Sequence, residues 1–255
     1  MSFNLTYLIT GANRGIGLGF VAFLLQRPQT TVIAAVRNPS HPSSRDLLSL
    51  AKASGSKLIL IKIDAAIVSD ATDAVAILQK DHGITVLDIV IANAGISCSS
   101  TRTSEITFSS AMDHFAVNAV APLLLFTAVA PLLKSSKNAP HGPVFLAISS
   151  SIASNGAADV LPVDVSPYGA SKAALNWFVR RLHFEEQWLT SFVIHPGMVQ
   201  TEMAASMVAK LNADPRALGA ITVKESVDGV VAVIDAATRD KSGRFMSYDG
   251  TVLPW

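Results

Sequence analysis

Tyr168 and Lys172 are the residues whose types and spacing most directly suggest chemistry. They open a segment predicted to be helical to about Leu189, and residues four apart lie on one face of a helix. A phenol has an ordinary pKa of about 10, so it transfers protons slowly at neutral pH. A neighbouring ammonium lowers that pKa and makes the phenol a better proton donor, for example to a carbonyl that receives a hydride. The pair is common by chance, so its context decides its meaning.

A glycine-rich segment, Thr10 to Gly17, supplies that context, because it follows an apolar strand candidate and precedes a helical pattern. Gly11 permits a tight turn, Gly15 lets the backbone approach a diphosphate, and Gly17 permits close packing of helix on strand. The N–H groups at the start of the helix would bind the anion. The predicted dinucleotide contacts in this loop are Thr10, Gly11, Asn13, Arg14, Gly15, Ile16 and Gly17.

The end of the second strand candidate bears on the choice of dinucleotide. A site that selects NAD places an acid there, and Val36 occupies that position. Arg37 follows directly, and with Arg14 of the glycine-rich loop it could hold a 2′-phosphate through charge-assisted contacts. Two solvated surface arginines are the alternative.

The elements that position these residues are predicted from apolar runs that alternate with helical patterns such as Ile16 to Leu25 and Asp70 to Lys80. The strand candidates are Leu5–Thr10, Thr31–Val36, Lys57–Ile63, Val86–Ala92, Pro143–Ser149, Ser191–His195 and Arg244–Ser247. Continuous apolar runs are typical of strands covered on both faces. The alternation predicts an α/β fold, a doubly wound parallel sheet of about seven strands flanked by helices. No linker divides the chain, so residues 1–255 are expected to form a single domain.

The composition limits the partners of this 255-residue chain, in which 50% of residues are hydrophobic and 15% are charged. A net charge of +1 gives no field for nucleic acid or an anionic membrane, so neither is expected. Cys98 is the only cysteine, which suits a reducing compartment, and we expect a cytoplasmic protein. The histidines show no metal-ligand spacing, so no metal is expected.

Three further segments carry predictions about local structure. The stretch from Phe115 to Leu133 is long enough to resemble a membrane span, but Pro122 and Pro131 interrupt it. We expect a buried helix followed by a turn. The polar stretches Asn38 to Arg45 and Ser97 to Ser104 are predicted to be surface loops.

Over nearly the whole chain, the form Thr-Gly-x-x-x-Gly-Ile-Gly and the later Tyr-x-x-x-Lys pair resemble the short-chain dehydrogenase/reductase family. The resemblance implies a single Rossmann-type domain and, with the two arginines, NADP(H) as cofactor. Asp64 matches the family's adenine-contacting acid. Asn93 belongs to an Asn-Ala-Gly motif beside the adenine ribose, although a structural hydrogen-bonding role is equally consistent with the sequence. The remaining cofactor contacts that the resemblance implies are Arg37, Asn38, Ala94, Gly95, Tyr168, Lys172, Pro196, Gly197, Val199 and Thr201.

The resemblance also implies a catalytic set of Asn118, Ser150, Tyr168 and Lys172. Ser150 would hydrogen-bond the substrate carbonyl, and Ser151 is the alternative register. Asn118 matches the family asparagine that holds a water in a proton relay to the lysine, and a helix-bending structural asparagine is the alternative. His195 has no acid paired with it in sequence, so we interpret it as structural.

The segment His195 to Thr201 resembles the family's Pro-Gly-x-Val-x-Thr motif, in which Val199 would contact the nicotinamide carboxamide through its main chain. Thr201 would bind the carboxamide or the diphosphate. Residues 202–221 correspond to the family's mobile substrate lid, although ordinary core packing is nearly as consistent. Residues 152–166 are longer than usual in the family, which predicts an enlarged loop on the substrate side or a disordered surface insertion. The residues expected to contact an apolar or aromatic substrate are Ser151, Val160, Leu161, Met198 and Met203.

The tail from Gly243 to Trp255 resembles a branch of the family that includes fungal polyketide ketoreductases and carbonyl reductases like insect sniffer and bacterial C-factor. The expected function is reversible NADPH-dependent reduction of a ketone or aldehyde in an apolar, aromatic or polyketide substrate, in secondary metabolism. The alternatives are a non-redox dehydratase, isomerase or cyclase, and a non-catalytic NADP(H)-binding sensor. Helices around Ala116 to Ala130 and Ala173 to Phe184 resemble those with which the family forms homodimers and homotetramers.

Overall fold

A parallel sheet organises the chain. The computed structural model describes residues 4–97, 101–137, 139, 142–160, 164–208 and 219–255. The strands are β1 (Thr6–Thr10), β2 (Thr31–Val36), β3 (Lys57–Lys62), β4 (Ile89–Ala92), β5 (Val144–Ile148), β6 (Thr190–His195) and β7 (Phe245–Ser247). They form one seven-stranded sheet in the order β3-β2-β1-β4-β5-β6-β7, with every neighbouring pair parallel.

Helices connect the strands and cover the sheet. They are α1 (Gly15–Leu25), α2 (Pro42–Arg45), α3 (Asp70–His82), α4 (Phe108–Phe115), α5 (Ala121–Lys134), α6 (Ser166–Glu185), α7 (Glu202–Val208) and α8 (Val223–Asp235). The predicted doubly wound α/β fold is therefore confirmed. The stretch from Asn38 to Arg45 differs from the expected surface loop, because it contains α2. Pro42 lies in the first turn of that helix, and His41 caps it by accepting the Ser43 N–H.

The sheet buries both of its faces, which explains why its strands read as continuous apolar runs. On one face, Phe20 and Leu24 of α1 pack with Val227 of α8. On the other face, Val129 of α5 packs with Val179 of α6.

The fourth strand begins at Ile89, later than in the predicted Val86–Ala92, although the main chain of Asp88 still bonds to Thr6 and Val144. The Leu87 N–H donates to the Leu132 carbonyl at 3.2 Å, so Leu87 ties the sheet to the end of α5 rather than extending the ladder. The Asp88 carboxylate accepts the Thr6 N–H at 2.8 Å.

The strand order creates a crevice. Strand β1 lies between β2 and β4, and the connections leave it in opposite directions. In open α/β sheets, ligands bind at such a switch point, outside the carboxyl ends of the strands. The glycine-rich loop and the segments after β4, β5 and β6 all begin at this edge.

A continuous helix runs from Phe108 to Lys134, because a π-helical segment, Ala116–Val120, joins α4 to α5. Pro131 lies inside the helix rather than ending it. By length and composition alone this helix could cross a membrane, and 44% of its most apolar window is buried within the protein. Burial of Leu125, Val129 and Leu133 in the core accounts for part of its apolar composition.

Candidate active site

The glycine-rich loop turns sharply between β1 and α1. Gly11 and Gly15 adopt positive φ angles of 64° and 53°, which favour glycine. A Cβ on Gly17 would lie 2.2 Å from the Gly11 carbonyl oxygen, so only glycine fits there. Helix α1 begins at Gly15, its first N–H groups lack partners within the helix, and Ile16 packs against the core behind them. The loop therefore has the geometry of an anion site.

Asn93 ties the end of β4 to the glycine-rich loop. Its side-chain amide donates to the Thr10 carbonyl at 2.9 Å and to the Gly11 carbonyl at 3.3 Å. In return, the Thr10 hydroxyl accepts the N–H groups of Asn93 and Ala94, each at 3.0 Å. Of the two roles that the sequence allows for Asn93, the structure shows the hydrogen-bonding one. These bonds fix the switch point between β1 and β4.

Exposed basic groups lie beside the glycine-rich loop and the end of β2. Arg37 and Asn38 are exposed, and Asn38 accepts the Ser40 N–H at 2.9 Å. The exposed Arg14 side chain pairs with Glu202 at 3.4 Å, a weak contact that a stronger anion would readily replace.

A contact that the sequence did not predict joins this region to the loop. Asn13 donates from its amide to the Ser43 hydroxyl at 2.8 Å, so α2 buttresses the glycine-rich loop. Only the capping sequence His41-Pro42 gave a signal for α2.

A pocket lies at the carboxyl ends of β1, β3 and β4, and it includes the predicted Asp64. The carboxylate of Asp64 accepts the Ala66 N–H at 3.0 Å, and its main-chain N–H donates to Asp70 at 2.8 Å. Apolar residues form most of the remaining wall: Ile63, Ala65, Ile67, Val68, Ala71, Ala92, Ala94, Val117, Ala121, Pro122, Leu124 and Leu125. An apolar slot with one acid suits a flat heteroaromatic base.

Tyr168 and Lys172 share one face of α6, and both are buried. The Lys172 ammonium lies 5.9 Å from the centre of the tyrosine ring and donates to the Ile148 carbonyl at 2.6 Å. Ser150, at the end of β5, hydrogen-bonds the Tyr168 hydroxyl. The structure thus brings Ser150, rather than its neighbour Ser151, to the tyrosine.

Asn118 lies in the π-helical segment and is fully buried. Its side-chain oxygen accepts the Ile96 N–H at 2.8 Å, while its amide donates to the Ile96 carbonyl at 2.9 Å and to the Ser171 hydroxyl at 3.0 Å. The Ser171 hydroxyl donates to the Tyr168 carbonyl at 2.7 Å. Sequence reasoning missed this role of Ser171, although it lies inside the Tyr-x-x-x-Lys motif.

Gly95 lies between Asn118 and Lys172. A Cβ at Gly95 would come within 3.1 Å of the Asn118 side-chain oxygen and 3.6 Å of the Lys172 ammonium. The absence of a side chain therefore keeps the space between these two polar groups open, and π-helical segments such as the one carrying Asn118 are frequent at functional sites.

Burial dominates the acidity of the pair. It raises the pKa of Tyr168 to about 12, and the hydrogen bond with Ser150 acts in the opposite direction. It lowers the pKa of Lys172 to about 8. For the protein groups alone, burial therefore outweighs any lowering of the tyrosine pKa by Lys172, whose ammonium lies 5.9 Å from the ring centre; the resemblance attributes part of that lowering to the nicotinamide cation.

The segment after β6 approaches the glycine-rich loop. Pro196 is fixed by its carbonyl, which accepts the Ser226 hydroxyl at 2.6 Å, and Gly197 adopts a φ of 88°. A Cβ on Gly15 would meet the Thr201 methyl at 3.5 Å, so Thr201 borders the diphosphate side.

Val199 pairs with Ile221 in an isolated parallel bridge. The bridge uses the Met198 carbonyl and the Gln200 N–H, each at 2.9 Å from its Ile221 partner. The N–H and C=O groups of Val199 itself therefore point away from Ile221, as alternate residues of a strand do. They are available to a ligand on that side.

The structure describes only some of the residues that were predicted to contact the substrate. Met198 and Met203 are 36% and 40% exposed, near the end of β6 and in α7. The side chain of Val160 and all of Leu161 lie outside the described residues. Residues Ser151–Ala153 and Asn155–Val160 form two 3-10 turns, so the part of the 152–166 loop that is described has regular local structure.

His195 makes a specific contact that the sequence did not predict. Its Nδ1 atom accepts the Ser151 N–H at 3.2 Å, directly beside Ser150. Within the described part of the chain, no three His, Cys, Asp or Glu side chains group as they would around a metal ion.

Comparison with known proteins agrees with this geometry. Residues 6–212 match the family model for short chain dehydrogenases. The chain is 42% identical to the norsolorinic acid ketoreductase of Dothistroma septosporum, over 98% of this chain and 92% of that protein. It superposes on the NADPH-bound carbonyl reductase from chicken fatty liver with a TM-score of 0.86 and 28% identity, covering 100% of both chains. For the carbonyl reductase sniffer of Drosophila melanogaster the TM-score is 0.83 at 29% identity, over 99% of this chain and 100% of that one. This chain belongs to the short-chain dehydrogenase family of oxidoreductases.

Proposed function

We propose that this chain is an NADPH-dependent ketoreductase that reduces the carbonyl of an apolar, aromatic or polyketide-like substrate. The observation that carries the proposal is the convergence of Ser150, Tyr168, Lys172 and Asn118 at the same sheet edge as the glycine-rich loop. The names of the relatives support it, since they include a norsolorinic acid ketoreductase and an NADPH-bound carbonyl reductase.

Residues along the crevice would bind each part of NADPH. The glycine-rich loop and the start of α1 would bind the diphosphate, and the pocket at Asp64 would take the adenine. Arg14 and Arg37 are exposed beside the loop, where they would hold the 2′-phosphate. The main-chain groups of Val199 would bind the carboxamide. When bound, NADPH supplies the hydride.

Side chains of the protein donate the proton and position the substrate oxygen. Tyr168 is protonated at neutral pH, so it can donate a proton to the substrate oxygen, and its hydrogen bond with Ser150 opposes the effect of burial, which makes the phenol a weaker acid. The Ser150 hydroxyl would hydrogen-bond the same oxygen and fix it next to the tyrosine. Asn118 holds α6 in place through Ser171 and so keeps Tyr168 and Lys172 at the crevice.

The proposal that the substrate is apolar is supported by the apolar, adaptable side chains of Met198 and Met203. Residues 152–166 and 202–221 would act as an enlarged substrate loop and a lid of the single domain. We further propose a cytoplasmic enzyme of secondary metabolism. Support comes from the lone cysteine and from the norsolorinic acid in the relative's name.

The test uses the purified chain with NADPH and two ketones, norsolorinic acid and a short aliphatic ketone. We expect stoichiometric NADPH oxidation with the aromatic ketone. Tyr168→Phe should lower kcat by a factor of about 100 or more while the affinity for NADPH changes by only about threefold or less, because the proton donor is lost together with at most one of many cofactor contacts. Product without NADPH oxidation would support a dehydratase, isomerase or cyclase instead. Binding of NADPH without turnover of any ketone would support a sensor.

A further inference from the structure

His195 ends β6, and its ring contacts the turn that carries Ser150. Its Nδ1 atom accepts the Ser151 N–H at 3.2 Å. Burial lowers the pKa of His195 to about 4, against a smaller opposing effect of Asp249, so the ring is neutral at physiological pH. Because Nδ1 accepts a hydrogen bond, the ring hydrogen must reside on Nε2.

The hydrogen bonds at the start of this turn show what His195 contributes. Ser150 satisfies two of the first N–H groups by itself, because its hydroxyl accepts from Ile152 at 3.3 Å and its carbonyl accepts from Ala153 at 2.9 Å. The Ser151 N–H is left over, and in the described part of the chain its partner is His195. The N-terminal N–H groups of a helical turn need such partners from outside.

The main chain of His195 is anchored in the sheet, outside the turn that its ring contacts. The His195 carbonyl accepts the Tyr248 N–H at 2.9 Å, and His195 pairs with Ser247 of β7. The hydrogen bond from the Ser151 N–H to His195 therefore fixes the turn relative to β6. Ser150 needs such fixing, because its hydroxyl bonds both Ile152 and Tyr168.

We propose that His195 is a positioning residue whose Nδ1 atom fixes the turn from Ser150 to Ala153 and thereby holds the Ser150 hydroxyl beside Tyr168. The effect on turnover rests on the proposed reductase function, whereas the contact itself does not. His195 thus has a specific task in place of the general structural role that its sequence context indicated.

The experiment compares three variants of the full chain. His195→Leu removes the acceptor, and His195→Asn restores an oxygen near the position of Nδ1. His183→Leu is the matched control, since Nδ1 of the half-buried His183 also accepts a hydrogen bond, from Arg239 at 2.7 Å, near the far end of α6. Amide hydrogen exchange is measured for peptides containing Ser151, and kcat and KM are measured with NADPH and an aromatic ketone.

We expect His195→Leu to exchange faster in the Ser151 peptides and to lose about tenfold in kcat, with KM for NADPH unchanged. His195→Asn should recover both to within about twofold, and His183→Leu should change neither. Unchanged exchange in His195→Leu, or changed exchange with full kcat, would overturn the proposal. If the wild-type chain reduces no ketone, the proposed function fails, while the exchange data still decide the contact. Should His195→Leu not fold, His195→Gln replaces it, because its amide reaches the Nε2 position instead.

Discussion

Individual polar residues at this site are buried and held by hydrogen bonds. Asn118 uses both ends of its amide on main-chain atoms and Ser171, and Lys172 has the Ile148 carbonyl as its partner. Low solvent exposure disfavours charge, so it lowers the pKa of Lys172 and raises that of Tyr168. Each shift has a measurable consequence.

The lowered pKa of Lys172 predicts a pH dependence of stability. Its pKa is about 8 in the folded chain, against an ordinary value of 10.5. Between these values the unfolded state binds more protons, so the folded state gains stability as the pH rises from about 8 to 10.5. Relative to Lys172→Met, the wild-type free energy of unfolding should rise by up to about 3 kcal/mol across this window. Urea unfolding at several pH values measures the difference, and parallel curves for the two proteins would contradict the assignment.

The proposed role of Arg37 leads to a prediction about the choice between NADPH and NADH. Replacing it by alanine removes one of two guanidinium groups proposed for the 2′-phosphate. We expect Arg37→Ala to reduce the preference in kcat/KM for NADPH over NADH by about tenfold or more, since charge-assisted pairs are strong. Arg181→Ala is the control, because Arg181 is also exposed and pairs with Glu185 on α6. An unchanged preference in Arg37→Ala would show that Arg37 is only a solvated surface residue.

Among the elements, the loop after β5 is held by several distant parts of the chain. It begins at the His195 contact and ends where Thr101 pairs with Val165. Between these points the Gly156 N–H donates to the main-chain oxygen of Trp255 at 2.8 Å. A Cβ on Gly156 would come within 3.2 Å of Pro254, so the tail lies directly on the loop.

The tail is in turn anchored by the ring of Trp255. This ring lies 5.8 Å from that of Phe245, and the Arg180 guanidinium lies 4.7 Å from its centre. We expect Trp255→Ala to loosen the loop and to raise KM for a bulky aromatic ketone several-fold, while KM for NADPH stays constant. Trp255→Phe keeps an aromatic ring against Arg180 and should behave like the wild type. Equal KM values for the ketone in all three proteins would exclude the tail from substrate binding.

At the scale of the whole molecule, apolar side chains are exposed on α6 and on α4, which continues into the helix around Ala116 to Ala130 that was predicted to form oligomer contacts. Trp177 and Phe184 of α6 are 61% and 51% exposed, and Met112 of α4 is 51% exposed. Exposed apolar patches of this kind mark interaction sites. We propose that these helices form the homodimer or homotetramer contacts.

The proposed assembly predicts the effect of a charge at Trp177. Trp177→Lys should convert the wild-type oligomer to monomers, because a buried unpaired ammonium is costly at an interface. Leu48→Lys is the control, since Leu48 is 54% exposed but lies on a different part of the surface, between β2 and β3. Light scattering gives the molar mass of each protein. A monomeric wild type, or a Trp177→Lys variant of undiminished mass, would remove the support for this interface.

Local patterns in the sequence determined the elements and the loop at β1. The turn at Gly11 and the contact at Gly17 depend on residues close in the chain, and the apolar runs follow from the burial of both sheet faces. The α/β fold and the positions of Thr10, Tyr168 and Lys172 could therefore be predicted without coordinates. The short helix α2 was missed, because four residues give too weak a periodic signal.

Tertiary structure alone decided which distant residues meet. The contacts of Ser151 with His195, Asn118 with Ser171, and Gly156 with Trp255 join segments far apart in sequence. No local spacing encodes them, because they arise only when the parallel sheet brings the carboxyl ends of its strands to one edge. The pKa values of Tyr168 and Lys172 are likewise decided by the tertiary structure. Desolvation depends on the whole packed environment and not on the motif.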